Sequence, residues 1–382
     1  MKILCLTTVL PSQKKTGGEI ASQAFIDALE ESGHKVSVIG YQRLEDNWEP
    51  QPREICIGKR HIETNKSGWC QLLWMGLGAV KNMPYSAAKY YSHTYIEKVR
   101  HVLDQGNYDL ILLDHAQLGW LRNIIQDKVK SIFNAHNIEH EIYLSHLENA
   151  QGYVSQHIYR REAKLIKHME DSLASSSSSV WTLTSHDSKY FRNVSQDNRV
   201  FHIPSSLTPS PTVSISKDYD IGLVGSWTWK ANMAGLNWFF QKVYPSLPKD
   251  LSIHVAGKGA QWLKGQYPNV IYHGFVPNIE SFMRRGKVMA IPSISGGGVQ
   301  IKTLDAIALG SSIVATPVAM RGISQYPASV RVAATSEDFA QSLIESLNMK
   351  NTPDFYEEAI AWSQQRRIVF FTDVKNAILA LN

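Results

Sequence analysis

The stretch Ile291 to Gly310, IPSISGGGVQIKTLDAIALG, concentrates the residues best suited to chemistry. An apolar run ends at Pro292-Ser293, three glycines follow (Gly296, Gly297, Gly298), and the pattern predicts a helix opening around Val299. Successive glycines let the backbone approach a ligand closely. The N–H groups of a first helical turn lack intrahelical partners and can donate to anionic oxygens. Lys302 falls in that first turn, where its cation opposes the helix dipole, a placement that is unfavourable alone and sensible beside an anion. Asp305 follows three residues later on the same face, among Leu304, Ala306 and Ile307. The arrangement suits a diphosphate at the helix start and a carboxylate offered to paired hydroxyls such as those of a ribose. The plainer alternative is a loose turn followed by a solvated aspartate.

Two histidines follow apolar runs: His115 in ILLDHAQLGW and His136 in FNAHNIEHEIY. Imidazole suits a hydrogen bond to a sugar hydroxyl or phosphate, or acid–base work, although a lone histidine at a strand end is most often a satisfied structural residue. His140 stands four residues after His136, but no third ligand cluster accompanies the pair, so a metal site is not expected. Gly17-Gly18 forms a weaker candidate loop after the first apolar run. It is not a GxGxxG fingerprint, and no acidic residue closes the second strand at Gly40-Tyr41, which argues against a nicotinamide dehydrogenase.

The elements that must position these groups alternate. Lys2–Thr8, Lys35–Gly40, Asp109–Leu113, Lys130–Ala135, Val180–Thr184 and Val200–Pro204 read as strands, the first two joined by a helix over Glu19–Ser32. Further helices are expected around Trp120–Gln126 and over Val154–Leu173. Ser205–Lys217 (SSLTPSPTVSISK) reads as a linker. Beyond it come strands at Asp220–Gly225, Leu251–Ala256, Asn269–Tyr272, Val288–Pro292 and Ser312–Ala315, with helices at Ala234–Val243, Ile279–Arg284 and Gln300–Leu309. Strands buried on both faces and separated by helices predict two doubly wound α/β domains facing across a cleft, over residues 1–204 and 218–361.

A chain of 382 residues is long for one core, and 43% hydrophobic with 19% charged residues fits a globular protein rather than a disordered one. Residues 1–214 carry 23 Lys/Arg against 22 Asp/Glu and residues 215–382 carry 16 against 12, with no basic run, so nucleic acid is not an expected partner. Three scattered cysteines (Cys5, Cys56, Cys70), no signal-peptide pattern and no apolar run long enough to span a bilayer make the cytoplasm the expected setting. Trp69–Val80 (WCQLLWMGLGAV) is aromatic and apolar, and residues 51–100 carry 8 basic against 3 acidic groups. This segment either packs into the first domain or rests as a surface helix on the inner face of an anionic membrane.

Taken together, ALEESGHKVSVI, GLVGSWTWKANMAGLNWF, HVAGKGAQWL, YHGFVPNIESFM, SISGGGVQIKTLDAIALGSSIVAT and PVAMRGI resemble successive blocks of the retaining glycosyltransferases of family 4, with the GT-B fold of two Rossmann-like domains. The likeness spans nearly the whole chain and is weakest over residues 46–90. It implies transfer of a sugar from a nucleotide-diphospho-sugar to a glycan, lipid-linked or other hydroxyl acceptor in surface polysaccharide or glycoconjugate synthesis, with no cofactor and no metal. By that likeness Gly17 and Gly18 face donor phosphates and acceptor, and His136 contacts the transferred sugar with His115 as its neighbour. Ser226, Gly257 and Lys258 line the nucleotide site, Gly274, Phe275 and Val276 hold the base, and Asp305 binds the ribose. Gly296, Gly297, Gly298 and Val299 offer amides to the diphosphate and sugar, with Thr303 beside them. It also implies that a helix over 362–382 returns to the first domain.

The chain departs from the family pattern at several of these positions. Gly297 and Asp305 stand where two glutamates are common, Ser226 and Gln300 stand where arginines are common, and Pro204-Ser205-Ser206 replaces a PNG-type turn. Lys230 and Lys302 are alternatives for the block's lysine, and the helix-start position favours Lys302. With the donor bound to the second domain, backbone amides and Lys302 would thus stabilise the charge growing on the departing diphosphate, which would take the acceptor proton with no side-chain nucleophile. The lost charges keep open a nucleotide-sugar-binding homologue without catalysis, and a sugar-nucleotide epimerase is a further alternative. A two-lobed periplasmic binding protein is disfavoured by the missing export signal.

Overall fold

The computed structural model describes residues 1–62, 68–126, 128–208, 216–349 and 353–381, the side chains of 353 and 354 excepted. The expected linker therefore lies largely outside the described residues. The chain divides into two compact units, Met1–Phe201 with Phe370–Asn382, and His202–Val369.

The first unit is built on seven parallel strands: β1 (Lys2–Val9), β2 (Lys35–Arg43), β3 (Glu54–Arg60), β4 (Leu110–Asp114), β5 (Lys130–Ala135), β6 (Ser179–Thr182) and β7 (Asn198–Val200), in the order β3-β2-β1-β4-β5-β6-β7. Registers such as Cys5↔Val38 and Cys5↔Leu112 place β1 between β2 and β4. The central strands are nearly continuous apolar runs because helices cover both sheet faces. Leu4, Leu6, Ile111, Leu113 and Phe133 belong to one core cluster. Phe25, Trp181, Phe201 and Phe370 pack ring on ring, which ties the chain's last segment into this unit. The helix Pro353–Leu379 contributes to both units, passing into the first at Phe370.

The second unit repeats the plan with β8 (Tyr219–Val224), β9 (Ile253–Ala256), β10 (Val270–Gly274), β11 (Gly286–Ile291), β12 (Ser312–Ala315) and β13 (Val330–Val332), all parallel, in the order β10-β9-β8-β11-β12-β13. Its core joins Ile221, Leu223, Val255, Val288 and Val314 to Leu236, Phe239 and Phe339. The two α/β sheets predicted from the apolar runs are present. In each, strand order reverses between the first and fourth strands, and the loops after those strands open at the switch point where such sheets bind ligands. The edge strands β3 and β13 are absent from the sequence reading.

Candidate functional site

In the first unit the chain leaves β1, makes one turn at Pro11–Gln13 and enters the helix Gly17–Glu31. Thr16 caps that helix, accepting from the Glu19 amide at 3.3 Å, while the Glu19 carboxylate accepts from Thr16 Oγ1 at 2.9 Å and the Lys15 amide at 3.0 Å. This variant of a capping box, in which Glu19 reaches the Lys15 amide and the Thr16 hydroxyl, makes Gly17 and Gly18 the first helical residues. Their amides are among those a helix start leaves without intrahelical acceptors. Arg43 pairs with Glu19 and fixes the corner to β2.

Asp114, the last residue of β4, is the hub of this half. Its Oδ1 accepts from Asn134 Nδ2 at 2.8 Å and lies 2.8 Å from His136 Nε2, and its Oδ2 accepts from Ser22 Oγ at 2.6 Å. Burial alone would raise the Asp114 carboxyl, but the imidazoles of His115 and His136 more than reverse this and hold it well below the usual carboxylate range. His115 follows at φ +79° and ψ +142°, a backbone conformation costing about 1–3 kcal/mol for a residue with a side chain. Its ring lies 4.1 Å, centroid to centroid, from that of His136, and a Cβ built on Gly18 would sit 3.6 Å from it. Burial, and then the His136 neighbour, lower the His115 imidazole to about 4, so it is neutral at pH 7. The structure thus brings Gly18, His115 and His136 together and adds Asp114, Ser22 and Asn134, which the sequence reading did not single out.

Asp114, His115 and His136 each place one ligand atom within 4.8 Å of the others, a donor set able to hold a metal ion, although hydrogen bonds already engage both Asp114 oxygens. His140 points elsewhere, its Nδ1 2.8 Å from Glu170 Oε2. Glu139, three residues after His136, is pushed up to about 7 by burial and the nearby Glu170 carboxylate.

In the second unit the triplet loop follows β11. Gly296 at φ +113° and Gly298 at φ +63° take conformations that residues with a Cβ rarely adopt. The helix begins at Ile301 with Gln300 as its cap. Among the described residues no backbone carbonyl accepts from the amides of Gly296 to Gln300. Arg321 donates to the Gly296 carbonyl and braces the loop, a cation absent from the sequence candidates. Lys302 is half-buried, its Nζ 3.3 Å from Asn232 Oδ1 and 5.7 Å from the Trp227 ring centroid, with no carboxylate partner among the described residues. Burial lowers its ammonium to about 8.

Trp227 is held from below. Its indole donates to the Ala256 carbonyl and its amide to that of Lys258, each at 2.9 Å. A Cβ on Gly257, at φ +117°, would lie 1.7 Å from the Gly225 carbonyl oxygen, so glycine is required where the loops after β8 and β9 meet. Ser226 is exposed beside Thr228 (Oγ–Oγ1 3.1 Å), and Lys230 is the exposed first residue of the helix Lys230–Trp238. Lys258 stands 5.0 Å from the ring centroid of the exposed Phe275. Val276 lines a cavity of about 240 Å³ with His254, His273 and Phe282.

Two of the expected donor-binding residues also have internal partners. Asp305 is buried, and its oxygens accept from the Ser206 amide at 2.7 Å, the Ser206 hydroxyl at 2.9 and 2.8 Å and the Leu207 amide at 3.2 Å. Burial nevertheless pushes this carboxyl up to about 6. Thr303 is fully buried and donates to the Ala319 carbonyl at 3.0 Å. The second unit therefore offers unaccepted amides and the Lys302 ammonium after a strand end, donors suited to an anion, with Trp227 buried behind the ammonium.

Residues 218–349 match the family described as Glycosyl transferases group 1. Across 95% of this chain and 96% of the relative, 22% of residues are identical to an uncharacterized 44.6 kDa protein in the cps region of Klebsiella pneumoniae. Among solved structures, sucrose-phosphate synthase from Thermosynechococcus elongatus superimposes with a TM-score of 0.69 at 14% identity, over 100% of this chain and 98% of that one. HepE of Anabaena in complex with UDP and glucose gives 0.62 at 14% identity, over 100% and 99%. The fold is that of the GT-B glycosyltransferases.

Proposed function

We propose that this chain, whose residues 218–349 match the glycosyl transferases group 1 family and whose fold is that of the GT-B enzymes, is a retaining, metal-independent transferase. It would move a sugar from a nucleotide-diphospho-sugar to a glycan or lipid-linked hydroxyl acceptor. The observation that carries the reading is the combination of unaccepted amides from Gly296 to Gln300 with Lys302, an ammonium lacking a carboxylate partner among the described residues. Negative charge that grows on a departing diphosphate would find preorganised donors there, which is the arrangement that lowers such barriers most.

The neutral imidazole of His115 and the ring of His136 would meet the transferred sugar's hydroxyls. Asp114 would orient His136 by accepting from its Nε2, so that the opposite nitrogen faces the substrate. In the retaining path the leaving phosphate would take the acceptor proton, so no nucleophile is assigned. The complex of HepE with UDP and glucose makes uridine donors the first to test, and the relative in the cps region supports a surface-polysaccharide acceptor.

A second reading, a nucleotide-sugar-binding homologue without transfer, is favoured by the engagement of Asp305 with Ser206 and Leu207. A thermal-shift panel of nucleoside diphosphates and their sugars, followed by product analysis with and without chelator, separates the readings. Transfer with retained anomeric configuration in the presence of chelator is the expected result. Stabilisation by a donor without turnover on any acceptor supports the second reading, and conversion of donor alone to an isomer would indicate an epimerase.

A further inference from the structure

We propose that the helix Gly68–Val80 docks the first unit on an anionic lipid surface. The helix, GWCQLLWMGLGAV, holds no charged residue over its 13 positions. Trp69, Leu72, Leu73 and Val80 are 80%, 62%, 70% and 82% exposed, and Gly76 between them is exposed as well. Their spacing of i, i+3, i+4, i+7 and i+11 draws one continuous stripe along the outer face.

The opposite face is anchored in protein. Trp74 and Gly78 are buried, Arg161 donates to the Gly78 carbonyl at 2.9 Å, and a Cβ on Gly78 would come within 2.8 Å of the Met83 carbonyl oxygen. The helix is thus apolar on both sides, whereas a helix on a water-facing surface carries a polar outer face. Leu72 and Leu73, which the sequence allows as core residues, are exposed, and the next residue, Trp74, is buried.

The occupant follows from chemistry and size. An exposed tryptophan combines an apolar ring with one N–H donor, the pairing suited to the headgroup boundary of a bilayer. Lys81 follows the helix directly and is exposed, as are Arg160 and Lys164 on either side of the Arg161 that holds the helix. Cations beside an uncharged apolar stripe complement anionic headgroups over acyl chains. The stripe offers on the order of 500 Å², less than the ~800 Å² that each partner contributes to a standard protein–protein interface, which favours lipid over a second copy of the chain.

The inference goes beyond the transferase reading, and vesicle binding without donor or acceptor tests it separately. The full chain should float with phosphatidylglycerol-containing vesicles at low salt and far less with phosphatidylcholine alone. Changing Trp69, Leu72 and Leu73 together to serine should lower the partition coefficient by about tenfold or more, with the melting temperature and nucleotide-induced shift retained. Brominated lipid should quench part of the tryptophan emission in the wild type. Trp69→Phe should lose that quenching and still float. Failure of the wild type to float, binding unaltered in the triple variant, or a dimer that the triple variant dissociates would each overturn the assignment.

Discussion

Replacing Lys302 by methionine should make the protein more stable and much less active. The ammonium is half-buried beside Asn232 and the Trp227 ring without a carboxylate partner among the described residues, and burial lowers it from 10.5 to about 8. A shift of that size corresponds to about 3 kcal/mol at ~1.36 kcal/mol per unit, and partial contact with water discounts it to about 2 kcal/mol. The sign follows from proton linkage. Below about 8 both folded and unfolded chains carry the charge and the folded state bears the full penalty; between about 8 and 10.5 the folded state sheds the proton and the penalty fades. Methionine preserves the stem and removes the charge. The variant should therefore melt about 4–8 °C higher at pH 7 for a unit of this size, with the gap closing as pH rises toward 10. Its barrier should rise by about 2–4 kcal/mol, lowering turnover roughly 30- to 1,000-fold. Differential scanning calorimetry across pH and initial-rate assays on the same preparations provide the measurements. A variant that melts lower than wild type at pH 7, or turns over as fast, would refute the view of Lys302 as a cation held ready for an anion.

Asp114→Asn puts an amide among three donors, and urea titration should show a loss of about 2–4 kcal/mol. Because the Asp114 carboxyl lies below its ordinary value, its stabilisation is present above pH 4 and should vanish in acid, so wild type and variant curves should converge below that range. Gly257→Ala combines a positive φ with a Cβ 1.7 Å from the Gly225 oxygen, and should cost at least about 3 kcal/mol or leave no soluble protein, read by expression and melting. Asp305→Ala should destabilise the second unit by about 2 kcal/mol while changing the nucleotide Kd by less than about threefold, measured by calorimetry. A loss of affinity of tenfold or more would instead assign the carboxylate to the ribose.

The strands were legible wherever both faces are covered. LCLTTV, DLILL and KVMAI are apolar because helices flank each sheet, and no periodicity was needed to find them. Edge strands β3 and β13 escaped because they are half exposed and mix Lys, Arg and Glu with Ile and Val. The glycine triplet was legible from composition, since positive φ requires that residue at Gly296 and Gly298, whereas Gly257, also at positive φ, was named only through the family resemblance. The sequence reading began the first helix at Glu19 and named none over 336–348, although Thr16 and Thr335 cap the helices Gly17–Glu31 and Ser336–Asn348 by accepting from the Glu19 and Asp338 amides, a local signal that it did not use.

Sequence alone determined the class of architecture, the glycine loops at strand ends, and the order in which candidate groups appear. It did so because strand burial, helix starts and glycine conformations are local properties. Only the tertiary structure decided which partner each polar group meets. It gave Asp114 to Ser22, Asn134 and His136, turned Asp305 toward Ser206, and set Trp227 beside Lys302. It also turned Leu72 outward and Trp74 inward on one helix. Such pairings join residues up to 99 positions apart; they are fixed by strand order and packing, and no pattern along the chain encodes them.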